Sequence, residues 1–151
     1  MKKELRIFIA GHNGMVGKSL VNYFTKKKFG KLILVSRKEL NLENFAKVNQ
    51  FIKKKKPHVI INCAGRVGGI LANSEFPTEF LNENIQIQTN LIKSAFNFNI
   101  KHLINLGSSC IYPKNSKQPI KEEDLLTDSL EKTNSVYALA KIVGVKLCEY
   151  Y

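Results

Sequence analysis

Two residue patterns in this chain have the types and spacing that chemistry requires. Tyr137 and Lys141 stand four positions apart on a predicted helix, so their side chains share one face about 5–6 Å apart at Cβ. A tyrosine with its ordinary pKa of about 10 is a poor acid–base catalyst at neutral pH. A neighbouring ammonium favours phenolate and is expected to draw that pKa down toward working pH. Tyr-x-x-x-Lys alone usually describes an exposed surface pair. Its weight here comes from Ser108 in Leu106-Gly107-Ser108-Ser109, at the carboxyl end of a predicted strand, where ligands bind in open parallel sheets. A hydroxyl there can donate to a substrate carbonyl while Tyr137 delivers a proton. Serines after strands otherwise serve as caps and turn residues.

The second pattern is Gly11-His12-Asn13-Gly14-Met15-Val16-Gly17, which follows an apolar strand and opens a helix. Glycines allow the tight turn, close backbone approach to a pyrophosphate, and close helix–strand packing. The helix end supplies unpaired N–H groups and partial positive charge for phosphate. The second strand then identifies the dinucleotide. An NAD site would place Asp or Glu there for the ribose hydroxyls, whereas this chain has Val35-Ser36-Arg37-Lys38. A guanidinium can pair with a 2′-phosphate and a carboxylate would repel one, so NADP(H) is the expected cofactor. The alternative is an Arg37 that is simply an exposed loop residue.

The nucleotide loop, strand-end serine and Tyr/Lys helix, in this chain order, resemble the extended short-chain dehydrogenase/reductase family. The segments GHNGMVG, ELNL, RVGGI, GSSCIYPK and YALAKIVGVKLCE extend the similarity over essentially the whole chain. They point to the branch that epimerises and reduces GDP-linked 4-keto sugars. The resemblance implies that Tyr137 is the proton donor and acceptor, that Lys141 tunes it and holds the nicotinamide ribose, and that Ser108 orients the 4-keto group. It also implies NADPH-dependent conversion of GDP-4-keto-6-deoxy-D-mannose to GDP-L-fucose. Leu106, Gly107, Ser108 and Ser109 are expected to border the cofactor with the glycine loop, Arg37 and Lys141. Cys110 matches a thiol implicated in epimerisation, which a thiol of lowered pKa can serve; by residue type alone it is equally a buried apolar side chain. The family commonly has Arg in place of Asn13 and Lys in place of Arg66. Losing a cation at Asn13 weakens the expected preference for the 2′-phosphate.

These groups need a scaffold, and the chain alternates strand and helix from the start. Apolar strands are predicted at 5–10, 32–35, 59–63 and 103–106. Between them, Val16, Leu20, Val21 and Phe24 recur with helical spacing up to Gly30, a candidate C-terminal cap. Asn41 is the candidate N-cap of a helix through Val48 and Ile52 that stops before Pro57. A long helix is predicted over 78–99 and a last one from Ser135. Continuous apolar strands mean a parallel sheet covered on both faces. The expected fold is α/β, a Rossmann-type doubly wound sheet with strand order 3-2-1-4. Residues 1–151 are read as one incomplete NADP-binding domain, truncated after the fourth strand and the Tyr-x-x-x-Lys helix. A histidine acid for epimerisation would lie beyond residue 151, and the piece alone is expected to be inactive. By the resemblance, the 78–99 and 135–151 helices form a homodimer interface.

Composition narrows the classes. Hydrophobic residues make up 44% and charged residues 24%, as in ordinary globular domains. No apolar run reaches membrane length, and a glycine loop rather than a cleavage site follows the first apolar stretch. A cytoplasmic protein with no membrane partner is expected. Three cysteines without a C-x-x-C pair argue against disulfides or a metal site and for reduced thiols, two of them core residues. The net charge of +12 is uneven: residues 1–56 hold 15 Lys/Arg against 3 Asp/Glu, and the remainder 9 against 9. The lysine runs 26–28 and 53–56 close predicted helices, where they meet the negative dipole end. They are therefore not read as a nucleic-acid surface. Two other readings stand beside the leading one: a different sugar-nucleotide epimerase or dehydratase, and a Rossmann nucleotide-binding module without catalysis.

Overall fold

A computed structural model of the protein describes residues 5–151. Four parallel strands, β1 (Arg6–Ala10), β2 (Lys31–Ile33), β3 (Val59–Asn62) and β4 (His102–Asn105), form one sheet in the order β2-β1-β3-β4. The helices are α1 (Met15–Lys26), α2 (Phe45–Lys55), α3 (Ile70–Glu75), α4 (Pro77–Asn97) and α5 (Ser135–Tyr150). The chain divides into two compact units. One holds residues 5–65, 86–106 and 151, with the whole sheet; the other holds residues 66–85 and 107–150.

In the sheet unit, side-chain alternation along the strands sends successive residues to opposite faces. Phe8, Ala10 and Ile60 pack with Val48 and Ile52 of α2 and with Ile87, Leu91 and Ala95 of α4. Ile7, Ile9 and Ile61 take the other face, against Leu20, Val21 and Phe24 of α1. Both faces are covered, as in a doubly wound sheet. Phe8 is fully buried, and its ring lies 5.1 Å from that of Phe51, centroid to centroid. Truncating such a ring to Ala costs about 3–5 kcal/mol.

The strand order differs from the 3-2-1-4 expected. The third strand pairs with β1, through Ile7↔Val59 to Ala10↔Asn62, and not with β2. Strand composition explains this. Ile60, Ile61 and Asn62 are all buried, so β3 needs neighbours on both sides, whereas β2 spans three residues and begins on exposed Lys31. β2 is therefore an edge.

Several boundaries also move. Asn44, not Asn41, caps α2, its side chain accepting from Lys47 N–H at 3.0 Å. Asn41 instead accepts from Glu43 N–H at 3.0 Å, a local turn that feeds the cap. Gly30 does not cap α1: the C-cap is Lys27, and Lys28 takes the left-handed conformation at φ 51°. Gly30, at φ 72°, turns the chain into β2, and a Cβ there would lie 2.6 Å from the Leu5 carbonyl oxygen. The helix expected over 78–99 starts at Pro77, which suits a first helical position, and ends at Asn97. The six-residue α3 before it was not anticipated.

In the second unit, α5 packs on 3-10 turns at Ser109–Ile111 and Lys132–Asn134, and α3 packs against the latter. Gly68 is required here by contact. A Cβ would come 2.9 Å from the Phe80 ring and 3.0 Å from Ala72.

Candidate active site

The glycine loop belongs to the sheet unit, at the carboxyl end of β1. Gly11 has φ 76°, and a Cβ on it would lie 2.6 Å from Ala64 N and 2.8 Å from the Cys63 carbonyl carbon. A Cβ on Gly17 would collide with the Gly11 carbonyl oxygen. The loop closes through Gly14 N–H donating to Gly11 O at 3.0 Å. α1 then begins on Gly14 with no side-chain cap, and Met15 and Val16 are exposed. Uncapped N–H groups at an exposed helix start suit a pyrophosphate. The residues present thus fit a dinucleotide.

An amide chain that the sequence reading missed holds the loop's neighbours. Asn62 donates to Asn105 Oδ1 at 2.7 Å and accepts from Ala64 N–H at 3.1 Å. Asn105 donates in turn to Gln88 Oε1 at 3.1 Å. Asn62 and Gln88 are 1% exposed, so each bond replaces water that the groups have lost. Leu106 N–H extends the ladder to Asn62 O at 3.3 Å. Ala64, which Asn62 holds, is the residue that Gly11 approaches.

Beyond β2, Arg37 is 74% exposed at its side chain and pairs with Glu43 at 2.9 Å. Glu39 accepts from the Ser36 hydroxyl at 2.6 Å and from Ser36 N–H at 2.9 Å. These Ser36 bonds, with a smaller contribution from nearby His12, hold the Glu39 carboxyl below its usual range. The guanidinium expected for a 2′-phosphate therefore has carboxylate company.

Ser108, Cys110, Tyr137 and Lys141 all lie in the second unit. Ser108 starts the 3-10 turn Ser109–Ile111, and its Oγ accepts from Cys110 N–H at 3.5 Å and from Cys110 Sγ at 3.2 Å. A hydroxyl has a single O–H to give, and these bonds use only the acceptor side of Ser108. Lys141 is buried, and its ammonium stands 5.6 Å from the centre of the Tyr137 ring. The Tyr137 pKa is raised, first by burial and then by Cys110. That corrects the expectation of a lowered value: the ammonium over the ring does not offset desolvation of the phenolate. Tyr137 is held as a neutral phenol.

Arg66, where the family commonly has Lys, is engaged within its own unit. It forms an ion pair with Glu83, and its guanidinium lies 5.6 Å and 5.2 Å from the centres of Phe76 and Phe80. Asn84 clamps its backbone, accepting from Arg66 N–H at 2.9 Å and donating to Arg66 O at 3.0 Å. Cys63 and Cys110 are partly buried, but Cys148 is exposed and not a core residue. Among the described residues no group of three or more His, Cys, Asp or Glu could hold a metal.

A parallel sheet with a glycine-rich turn between its first strand and helix defines a Rossmann-type NAD(P)-binding fold. The chain matches the NAD dependent epimerase/dehydratase family over residues 7–151 and belongs to it. It is 48% identical over 149 residues to GDP-L-fucose synthase 1 of Arabidopsis thaliana, covering 99% of this chain and 46% of that protein. It is 44% identical over 151 residues to the GDP-L-fucose synthase of Escherichia coli K12, covering 100% of this chain and 47% of that one. Among solved structures it superposes on a GDP-D-glycero-L-gluco-heptose synthase from Campylobacter jejuni, determined in the presence of NADPH. The TM-score is 0.94 at 39% identity, with 100% of this chain and 44% of that one covered. The chain thus spans about half the length of the curated relatives it matches.

Proposed function

We propose that the protein carrying this chain is an NADPH-dependent epimerase/reductase that converts GDP-4-keto-6-deoxy-D-mannose to GDP-L-fucose. The observation that carries this reading is the grouping of Ser108, Cys110, Tyr137 and Lys141 in one unit, with the Cys110 thiol on the Ser108 hydroxyl and the Lys141 ammonium over Tyr137. The relatives' names supply the substrate class.

The glycine loop would hold NADPH, which when bound would supply the hydride for C4 of the sugar. Ser108 donates its O–H to the C4 carbonyl and orients it. Tyr137, kept protonated by burial, gives its proton to the carbonyl oxygen as that oxygen gains charge. Lys141 stabilises the phenolate left behind. Cys110 exchanges protons at the carbons beside the ketone, where the carbonyl makes C–H bonds acidic. Arg37 binds the 2′-phosphate. The protein works in the cytoplasm, a reducing compartment in which Cys63, Cys110 and Cys148 stay thiols. It acts as a homodimer, for which exposed Leu139 and Val143 on α5 offer apolar surface.

Two variants of the enzyme, assayed separately for the two steps, test the assignment. Tyr137→Phe removes the proton donor, so reduction should fall by about 100-fold or more while NADPH affinity is unchanged. Cys110→Ser should chiefly suppress incorporation of solvent deuterium at C3 and C5 of the hexose. Normal exchange in Cys110→Ser, or normal reduction in Tyr137→Phe, refutes the corresponding role.

A further inference from the structure

The sheet unit has a second concave site at the opposite end of its strands. A cleft of about 830 Å³ lies where β1, β3 and β4 begin and α2 ends. That volume falls within the range of small-molecule sites, about 300–1,000 Å³. β1 has five residues, so at about 3.3 Å per residue the cleft stands roughly 16 Å from the glycine loop.

Its charge is one-sided. Arg6, Lys53, Lys56, His58, Lys101 and His102 supply half of the twelve lining residues, and none of the twelve is Asp or Glu. The bland explanation is that cations here neutralise helix ends. α2 and α4 both finish at this edge, and each helix C-terminus carries about half a negative charge. Together they amount to about one negative charge, against four side chains that are cationic at neutral pH even with both histidines neutral. The excess is about three positive charges. Part of the helix-end task is already done by Arg6, whose Nε donates to the Lys56 carbonyl at 2.9 Å. That bond fixes the guanidinium at the cleft while leaving further N–H donors on it. His58 accepts from Arg6 N–H through Nδ1 at 2.9 Å, which puts the proton of the neutral ring on Nε2.

The rest of the lining is apolar. Leu5, Ile52, Pro57, Phe98 and Ile100 face the same space, and Ile52 and Pro57 are buried. A site with several cations and an apolar floor matches a ligand that joins phosphates to a ring.

We propose that this amino-terminal cleft binds a nucleotide-like organic polyphosphate at a site separate from the dinucleotide loop. The chain's three histidines report on the two places independently, His12 in the glycine loop and His58 and His102 in the cleft. ATP serves as the probe in the full protein, with histidine rings isotopically labelled and assigned by single His→Gln replacements.

ATP should shift the His58 and His102 resonances with saturation at one equivalent, while His12 responds to NADPH. Lys53→Glu with Lys101→Glu should weaken ATP at least tenfold, and the milder Lys53→Gln with Lys101→Gln several-fold. Lys26→Glu with Lys27→Glu changes net charge equally and should leave ATP affinity unchanged. Tripolyphosphate, which has no ring, should bind at least tenfold more weakly. ATP moving only His12, equal losses in the Lys26/Lys27 variant, or tripolyphosphate binding as tightly as ATP would each overturn the proposal.

Discussion

Cofactor selection should turn on a contest between Arg37 and the carboxylates beside it. A charge-assisted hydrogen bond from a guanidinium to phosphate contributes about 1.5–3 kcal/mol where water is excluded. Arg37 does not enjoy that setting: its side chain is 74% exposed and already paired with Glu43 at 2.9 Å. Sharing or leaving an exposed ion pair costs about 0–1 kcal/mol. The ionised Glu39 nearby adds repulsion toward any 2′-phosphate. The net preference for NADPH over NADH is then about 1–2 kcal/mol, or roughly 5–30-fold. Arg37→Ala should lose that factor for NADPH while changing NADH less than about 2-fold. Glu43→Gln removes the competitor and one negative charge, so it should tighten NADPH about 2–5-fold and leave NADH unchanged. Calorimetric titration of both cofactors into the three proteins measures all of this. Equal weakening of NADPH and NADH by Arg37→Ala, or weaker NADPH binding in Glu43→Gln, would refute the reasoning.

Gly11→Ala forces a Cβ to within 2.6 Å of Ala64 N at φ 76°; left-handed strain plus backbone displacement should lower stability by about 2–4 kcal/mol, read by urea denaturation. Parental stability in that variant would contradict the close approach. Because the Tyr137 pKa is raised by burial, the folded state favours the neutral phenol. Its stability contribution should be intact below the unfolded pKa of about 10 and be lost as pH rises through the folded value. Tyr137→Phe should therefore flatten the alkaline fall in stability, and an unchanged profile would show that Tyr137 does not cause it.

What the sequence disclosed followed from how local each determinant is. The glycine loop was legible because strand, turn and helix are contiguous, and Tyr137 and Lys141 because four residues of helix put them on one face. Buried strands were legible as apolar runs, but which strand neighbours which was not. That depends on how much of each strand must be covered, and β2, with three residues and an exposed Lys31, yielded its expected place beside β3. Asn44 displaced Asn41 as a cap because both are good caps three residues apart, and only the closing geometry decides. The chain Asn62–Asn105–Gln88 joins residues 17 to 43 positions apart, so no local pattern announces it. The rise in the Tyr137 pKa was invisible for a related reason. Spacing showed the ammonium four residues away but not the burial, which comes from packing.

On the proposed reading, the second unit couples two chemistries through one oxygen, Ser108 Oγ. With Cys110 as a thiol, its Sγ–H donates to Ser108 Oγ at 3.2 Å, and the serine O–H stays available for a carbonyl. That is the arrangement reduction requires on the proposed reading. To take a proton from a sugar carbon, Cys110 must be a thiolate, which has no hydrogen to give. The favourable partner for that thiolate is the serine O–H, because a charged acceptor strengthens the bond. Ser108 has one O–H, so it cannot steady the thiolate and hold the carbonyl at the same moment. The Tyr137 phenol lies near enough to Cys110 for the thiolate to raise its pKa. Negative charge at Cys110 therefore favours a protonated Tyr137. On the proposed reading, proton exchange at carbon and reduction at C4 both draw on the single hydrogen of Ser108, which would have to turn from one task to the other.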